Sequence, residues 1–174
     1  MRAKALPVVA AIALAGCAPF ADDDSARFAE RGIELKLPQG WSVSGFSETV
    51  FPRRLVAASY SVARVDVEGD CGGMEAVTRL PSRGAYVVLI NYGDNFDADR
   101  LNRADFKNRL PVTLPDGQLA HFGCFGHSYA FRFIVGGRGL QAHVGLGRRV
   151  DPETRERALA VVNSIRVAMS PSKD

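Results

Sequence analysis

Three residues in one short stretch have side chains that commonly bind metal ions. His121, Cys124 and His127 offer two imidazoles and a thiol, which are frequent zinc ligands. Side chains alternate between the two faces of a strand, so His121 and His127 are expected on one face and Cys124 on the other. Only a bend at Gly123 or Gly126 could bring all three together. We therefore predict no metal site, and no cofactor.

Two other segments match chemical motifs only in part. Gly40-Trp41-Ser42-Val43-Ser44 ends in Ser, where the nucleophile elbow of hydrolases requires Gly, and is predicted to be strand. Asp94-Asn95-Phe96-Asp97-Ala98-Asp99 has the composition of a calcium loop but lacks its invariant Gly and distal Glu, which favours a solvated loop.

None of the three histidines has a partner at a spacing that indicates acid–base catalysis. We predict that the protein is not an enzyme. The alternative is an envelope enzyme that uses His121, His127 or His143.

Arg132 and His143 are the candidate residues of a polar ligand-binding face. They lie in two alternating apolar segments joined by residues 136–139, a pattern that predicts a β-hairpin. A four-residue loop would place Val135 opposite Leu140, and hence Arg132 opposite His143 on the outer face. Such a pair could bind a small anion, or it could be two exposed polar residues on a sheet.

The N-terminal segment is typical of an export signal. Arg2 and Lys4 precede an apolar run over residues 5–15, which is interrupted by Pro7. This run is shorter than the roughly 20 residues that a transmembrane helix needs. A basic start, a short apolar stretch and small residues before a cleavage point predict a secretory signal peptide over residues 1–16.

Leu14-Ala15-Gly16-Cys17 resembles the lipobox of bacterial lipoproteins. The resemblance implies cleavage between Gly16 and Cys17 and attachment of diacylglycerol, with acyl chains such as palmitate, to the Cys17 thiol. It also implies a protein anchored by lipid in the cell membrane, facing the periplasm or the outside of the cell. Plain secretion is the alternative.

Two cysteines remain once Cys17 carries lipid. Cys71 and Cys124 then form an even pair in an export compartment, where disulfides persist. Closing a loop of about 54 residues would stabilise the fold by roughly 4 kcal/mol, because it restricts the unfolded chain. The alternative is that Cys71 or Cys124 acts as a nucleophile or a metal ligand.

The charge balance of the mature chain argues against a nucleic-acid partner. The full chain has 174 residues, of which 22 are Lys or Arg and 19 are Asp or Glu. Removal of residues 1–16, which contain Arg2 and Lys4, leaves 158 residues with a net charge of +1. That length suits one domain, and phosphate binding needs a larger basic surplus.

The remaining pattern predicts an α+β fold. Strands are expected at residues 33–37, 41–44, 55–67, 85–92 and 118–125 and in the two arms of the hairpin, with 85–92 central in the sheet. Residues 74–80 favour a short helix. Asp151 as N-cap and Pro152 at the first helical position begin a longer helix that ends at residues 163–164, and residues 165–167 can add a strand.

Two groups of residues resemble known proteins. Small exported bacterial lipoproteins of unassigned function are resembled by Leu37-Pro38-Gln39-Gly40-Trp41 and by the closing segment 158–167. A resemblance to actinobacterial proteins of this kind is carried by Cys124-Phe125-Gly126, Phe131-Arg132-Phe133 and Gln141-Ala142-His143-Val144. More remotely, the opening strands and closing helix resemble the PsbP/Mog1-like fold. That resemblance implies an antiparallel sheet flanked by helices and transfers no catalytic residue.

Together these patterns predict a signal peptide (1–16), a lipidated flexible tether (17–32), one domain (33–168) and a polar tail (169–174). The domain is expected to be a mainly antiparallel, twisted sheet with the C-terminal helix packed on one face. Its expected role is non-catalytic binding or scaffolding at the cell envelope. The expected partners are the membrane, through the lipid on Cys17, and an envelope protein or small ligand. A lipoprotein that binds a small ligand or anion is the alternative.

Overall fold

The computed structural model describes residues 25–47, 52–62, 77–93 and 103–168. Within these residues the chain forms one complete helix, α1 (Pro152–Asn163), and nine strands: β1 (Ala26–Glu30), β2 (Ile33–Leu37), β3 (Ser42–Val43), β4 (Arg53–Ala58), β5 (Ala85–Asn91), β6 (Gln118–His121), β7 (His127–Val135), β8 (Arg138–Leu146) and β9 (Arg166–Val167). Residues 77–78, the described part of the short helix predicted at 74–80, are also helical.

The strands form two antiparallel sheets. One has the order β1-β2-β9, and the larger has the order β3-β4-β5-β8-β7-β6. Helix α1 contacts β5 and β8 of the larger sheet and β2 of the smaller one. The predicted fold class, a mainly antiparallel α+β domain with the C-terminal helix on one face of the sheet, is confirmed.

Strand β5 is one of the two central strands of the larger sheet, as its continuous apolar sequence predicts. All seven of its residues are buried, and it pairs with β4 on one side and β8 on the other. Its alternate residues serve two faces. Val87 and Leu89 enter the main core under α1, whereas Tyr86, Val88 and Ile90 pack on the opposite face.

Helix α1 begins and ends where the sequence indicates. The Asp151 carboxylate accepts a hydrogen bond from the Thr154 backbone N–H at 2.7 Å, which satisfies a donor that the first helical turn leaves unpaired. Ala158, Val161 and Val162 are fully buried in the main core. Ser164 follows the last helical residue, and the chain then adds β9 to β2.

The folded domain begins earlier than predicted, because residues 26–30 are strand β1 rather than tether. This strand pairs along its whole length with β2, from Ala26 opposite Leu37 to Glu30 opposite Ile33. A two-residue turn, Arg31-Gly32, joins them with φ values of 52° and 74°. Alternation in β1 is too weak to detect in the sequence, since the strand is specified by its partner and its turn.

The register of the β7–β8 hairpin also differs from the prediction. The loop has two residues, Gly136 and Gly137, with φ values of 55° and 81°, and Val135 pairs with Arg138. A two-residue turn with left-handed φ at both positions matches the twist of the strands that it joins. Arg132 therefore lies opposite Gln141 and not, as predicted, opposite His143. Because the shift is two residues, every side chain keeps its predicted face.

Two further strands are shorter than predicted. The stretch expected over residues 118–125 ends at His121, and Gly123–Phe125 form a 3-10 turn before β7. The stretch expected over residues 55–67 is strand only to Ala58 in its described part. Among the described residues no helix is long and apolar enough to cross a membrane.

Several predictions concern residues outside the described ranges. They are the signal peptide with Cys17, most of the tether, Cys71, the first part of the helix expected at 74–80, the acidic loop at 94–99 and the polar tail. These remain predictions.

Candidate functional site

The face of the larger sheet opposite α1 carries a buried polar cluster within apolar surroundings. Val56, Val88 and Ile90 provide the apolar part. Gln141 and His143, both from β8, are 5 % and 0 % exposed, and Ser128 of β7 is fully buried. Since buried polar groups must be hydrogen-bonded to be tolerated, the partners of these side chains define the site.

The orientation of the Gln141 side-chain amide is set by Arg132, which can only donate hydrogen bonds. The Arg132 Nε–H donates to Gln141 Oε1 at 2.9 Å, and the Tyr92 hydroxyl donates to the same oxygen at 3.2 Å. A guanidinium has no acceptor, so this position must hold the amide oxygen. The Gln141 amide nitrogen therefore faces His143.

The orientation of Gln141 fixes the tautomer of His143. The amide N–H donates to His143 Nε2, which must carry a lone pair, so the ring proton resides on Nδ1. Nδ1 lies 3.2 Å from Ser128 Oγ and donates to it. His143 is thus held as a neutral imidazole with both nitrogens occupied.

Tyr86 lies beside the Ser128 side chain, and the Tyr86 hydroxyl donates to the backbone carbonyl of Phe125. The hydrogen bonds before it run in one direction, from Arg132 through Gln141 and His143 to Ser128. We call this chain the polar relay. Each bond in it polarises the next, and one break leaves buried groups unsatisfied.

Two aromatic rings cover His143. The Phe125 ring stacks on the imidazole with centroids 4.4 Å apart, and the Phe122 ring meets it edge-on at 4.9 Å. Both come from the segment around the Gly123–Phe125 turn, whose backbone also accepts the hydrogen bond from the Tyr86 hydroxyl. The turn therefore acts as a cap that keeps water from His143.

This environment strongly favours the neutral imidazole. Burial, together with the positive charges of Arg132 and Arg54, lowers the pKa of His143 from 6.5 to about 4, and burial is the largest of these causes. The Gln141 N–H on Nε2 adds to this effect, because a proton on Nε2 would oppose a donor. Burial likewise raises the pKa of Tyr86 to about 12, so its hydroxyl stays protonated.

Gly145 makes room for Tyr86 beneath the relay. A Cβ at position 145 would lie 2.0 Å from Tyr86 Cζ, which is far closer than any real contact. Gly145 follows His143 by two residues on the same face of β8 and lies directly opposite Tyr86. The Tyr86 ring lies so close to the backbone of β8 that position 145 requires glycine.

A surface recess of about 290 Å³ lies next to the exposed end of the relay. Its lining residues come from β6, β7, the connection between them and the segment before β6: Asp105, Lys107, Asn108, Asp116, Gln118, Phe122, Ala130 and Arg132. It joins one aromatic wall, Phe122, to several polar side chains, a combination common in small-ligand sites.

Two of the lining residues are occupied with structural hydrogen bonds. Asn108 bonds the backbone of Arg132 through Oδ1 at 2.8 Å and the backbone of Asp116 through Nδ2 at 3.1 Å. The Asp116 carboxylate accepts from the backbone and side chain of Thr113, which lowers its pKa. Both residues shape the recess but have little capacity left for a ligand.

Arg132 is the lining residue with the most remaining hydrogen-bonding capacity. Its Nε–H is committed to Gln141, and Nη1 lies 4.0 Å from Asp105 Oδ2, a long contact between half-exposed groups. The Nη donors therefore face the recess with only a weak partner among the described residues. Lys107, which is exposed, adds a second cation at the rim.

The two residues predicted to form a polar ligand-binding face differ in their exposure to solvent. Arg132 and His143 share a face and are connected through Gln141, but only Arg132 reaches solvent, since His143 is 0 % exposed. Whether this face binds a ligand stays a prediction. Gln141 and Ser128 were not predicted, although strand alternation places both on the face of His143.

The other candidates lie near the cap. His121 and His127 share a face, as predicted, but they do so as direct partners across β6 and β7 and not within one continuous strand. Cys124, in the 3-10 turn, is disulfide-bonded. Cys71 lies outside the described residues, so the pairing of Cys71 with Cys124 stays a prediction. Ser42 lies in strand β3, the conformation expected for a segment that is not a nucleophile elbow.

This chain has no match among protein families, curated proteins or solved structures.

Proposed function

We propose that this protein is an exported, lipid-anchored envelope protein whose domain binds a small carboxylate-bearing molecule without transforming it. The observation that carries the binding role is Arg132, held by a buried relay at the edge of a recess. Rigid support from behind leaves the guanidinium oriented before a ligand arrives, which reduces the entropy cost of binding.

The chemistry of the recess favours a planar oxyanion attached to an apolar group. A guanidinium pairs with a carboxylate through two parallel N–H donors, a geometry that lysine cannot reproduce. Phe122 offers an adjacent surface for an apolar or aromatic portion, and Lys107 adds positive charge at the rim. Asp105 would release Arg132 readily, because their contact is 4.0 Å long and exposed.

Benzoate tests this assignment, with benzyl alcohol as the probe that lacks the charge. In NMR titrations of the full chain, benzoate should shift signals of Arg132, Phe122 and Lys107, and benzyl alcohol should not. Arg132→Lys should abolish the benzoate shifts, whereas Arg148→Lys, at an exposed position outside the recess, should retain them. Equal benzoate binding by the two variants would overturn the assignment.

The location at a membrane rests on the lipobox at residues 14–17 and on one surface of the domain. Arg27 of β1 and Lys36 of β2 lie directly opposite each other, and Arg166 of β9 adds a third cation beside Glu34. Two like charges directly opposite each other on neighbouring strands repel, and a surface of anionic lipid headgroups would offset this repulsion. Arg27 follows Cys17 by ten residues, a span of at most about 35 Å.

The anchor is tested in cells. Globomycin, which blocks lipoprotein signal cleavage, and the Cys17→Ala change should each leave an unprocessed or unlipidated precursor. Normal processing and membrane retention under both conditions would exclude the lipid anchor and leave plain secretion. The recess assignment does not depend on this outcome.

A further inference from the structure

His121 and His127 form a pair that neither the relay nor the recess uses. They are the last residue of β6 and the first of β7, and they are direct cross-strand partners where the hairpin closes. Both are exposed. Their ring centroids lie 5.1 Å apart with an interplanar angle of 71°.

This spacing suits two imidazoles that bind one ion. A zinc–nitrogen bond of 2.0–2.1 Å places the metal about 3.2 Å from each ring centroid, so a tetrahedral angle separates the centroids by about 5.2 Å. A right angle, as in square-planar coordination, would bring them to about 4.5 Å. The observed 5.1 Å fits the tetrahedral case.

The backbone makes the pair a prepared site. Directly opposed side chains on an antiparallel pair have Cβ atoms about 5 Å apart, and both project to the same face. The segment between them is short and closed by the Phe122 N–H bond to the Gly126 carbonyl at 2.9 Å. A disulfide at Cys124 constrains it further, and no free thiolate is available there as a third ligand.

We propose that His121 and His127 bind a tetrahedral divalent transition-metal ion such as Zn²⁺, with water in the remaining coordination positions. Within the described residues no group of three or more metal-binding side chains converges, so this part of the chain contributes two ligands. Two water positions make the site open, and the bound ion can exchange them for a ligand supplied from solution.

The test is a zinc titration of the full chain by calorimetry at pH 7.5, followed by NMR of the imidazole signals. One equivalent should bind, with shifts at His121 and His127 and none at the covered His143. His121→Asn and His127→Asn should each weaken binding by at least about tenfold. Glu156→Gln, at an exposed position on α1, serves as the control and should leave binding unchanged.

The pH dependence provides a second measurement. Only neutral imidazoles bind metal, so affinity should fall when the pH is lowered from 7.5 to 5.5. Zinc binding that persists in the double variant His121→Asn/His127→Asn, or the absence of any binding by the native chain, would overturn the proposal. Both positions are exposed, and an unchanged melting temperature would confirm that the variants are folded.

Discussion

His143 is a titratable residue that the fold keeps uncharged at neutral pH. Its ring is enclosed by Phe122 and Phe125, its Nε2 accepts from Gln141, and two arginines lie close enough to oppose a positive charge. An imidazole in this state cannot exchange protons with solvent easily. Its role is structural: it joins Ser128 to Gln141 by hydrogen bonds, and the oriented Gln141 amide in turn holds Arg132 in place.

The first prediction concerns stability and pH. The pKa of His143 is about 4 in the folded protein and near 6.5 in the unfolded chain, so below pH 6.5 the unfolded state binds the proton first. The folded state therefore loses stability between pH 6.5 and 4, by about 3 kcal/mol, and the contribution is complete above pH 6.5. Urea unfolding at half-unit pH intervals measures this slope.

Variants assign that slope to one residue. His143→Gln should be less stable at pH 7 but should show a flatter pH dependence between 6.5 and 4. The double change His121→Asn/His127→Asn, which removes the two exposed imidazoles, should keep the native slope. Asp116 and Asp151 add a loss of their own toward lower pH, because capping hydrogen bonds lower the pKa of each, but this loss is common to the native protein and His143→Gln. An identical slope in native protein and His143→Gln would contradict the prediction.

At the scale of elements, turns decide which side chains meet. The two-residue turn at Gly136-Gly137 sets Arg132 against Gln141, and the relay depends on that register. The turn also touches the smaller sheet, since a Cβ at position 136 would lie 2.9 Å from Val167 Cβ. A Cβ at position 137 would have no other atom within 4 Å. A substitution at 137 therefore tests backbone strain alone, whereas one at 136 adds a steric collision.

The second prediction uses this difference. Gly137→Ala should lower the free energy of unfolding by about 1 kcal/mol, because φ is 81° and the left-handed region is unfavourable for alanine. Gly136→Ala should lower it by more, since the added methyl group also collides with Val167 of β9. Gly137→Asn should be milder than Gly137→Ala, because asparagine tolerates positive φ. Denaturant unfolding ranks the three, and a neutral Gly137→Ala would show that the turn is not left-handed.

At the scale of the molecule, the cap over His143 is tied to the rest of the chain by the disulfide of Cys124. If its partner is Cys71, the bond closes a loop of about 54 residues and contributes roughly 4 kcal/mol. If the partner were Cys17, the lipid anchor and the disulfide could not coexist. The stability of cysteine variants distinguishes the two pairings.

The third prediction is therefore a comparison of cysteine variants. Cys71→Ala, Cys124→Ala and the double variant should lose the same free energy of unfolding, about 4 kcal/mol, because each removes the same bond. Cys17→Ala should lose none. Mass spectrometry of the non-reduced protein should find the linked peptides. A stable Cys71→Ala variant would contradict the pairing.

The sequence by itself determined the class of fold and the elements whose signals are local. The apolar run of β5, the N-cap of α1 at Asp151 and the alternation of β7 and β8 depend on neighbours in the chain, so they could be read without the structure. Alternation also placed Arg132 and His143 on one face, and it did so despite the wrong register.

Only the tertiary structure decided the register, the start of the domain at β1 and the burial of His143. The register depends on a turn two residues shorter than assumed, and β1 is a strand because β2 lies beside it. His143 is buried because a 3-10 turn folds two phenylalanines over it. Alternation assigns a side chain to a face, but what covers that face is set by contacts between distant segments, and these leave no periodic trace in the sequence.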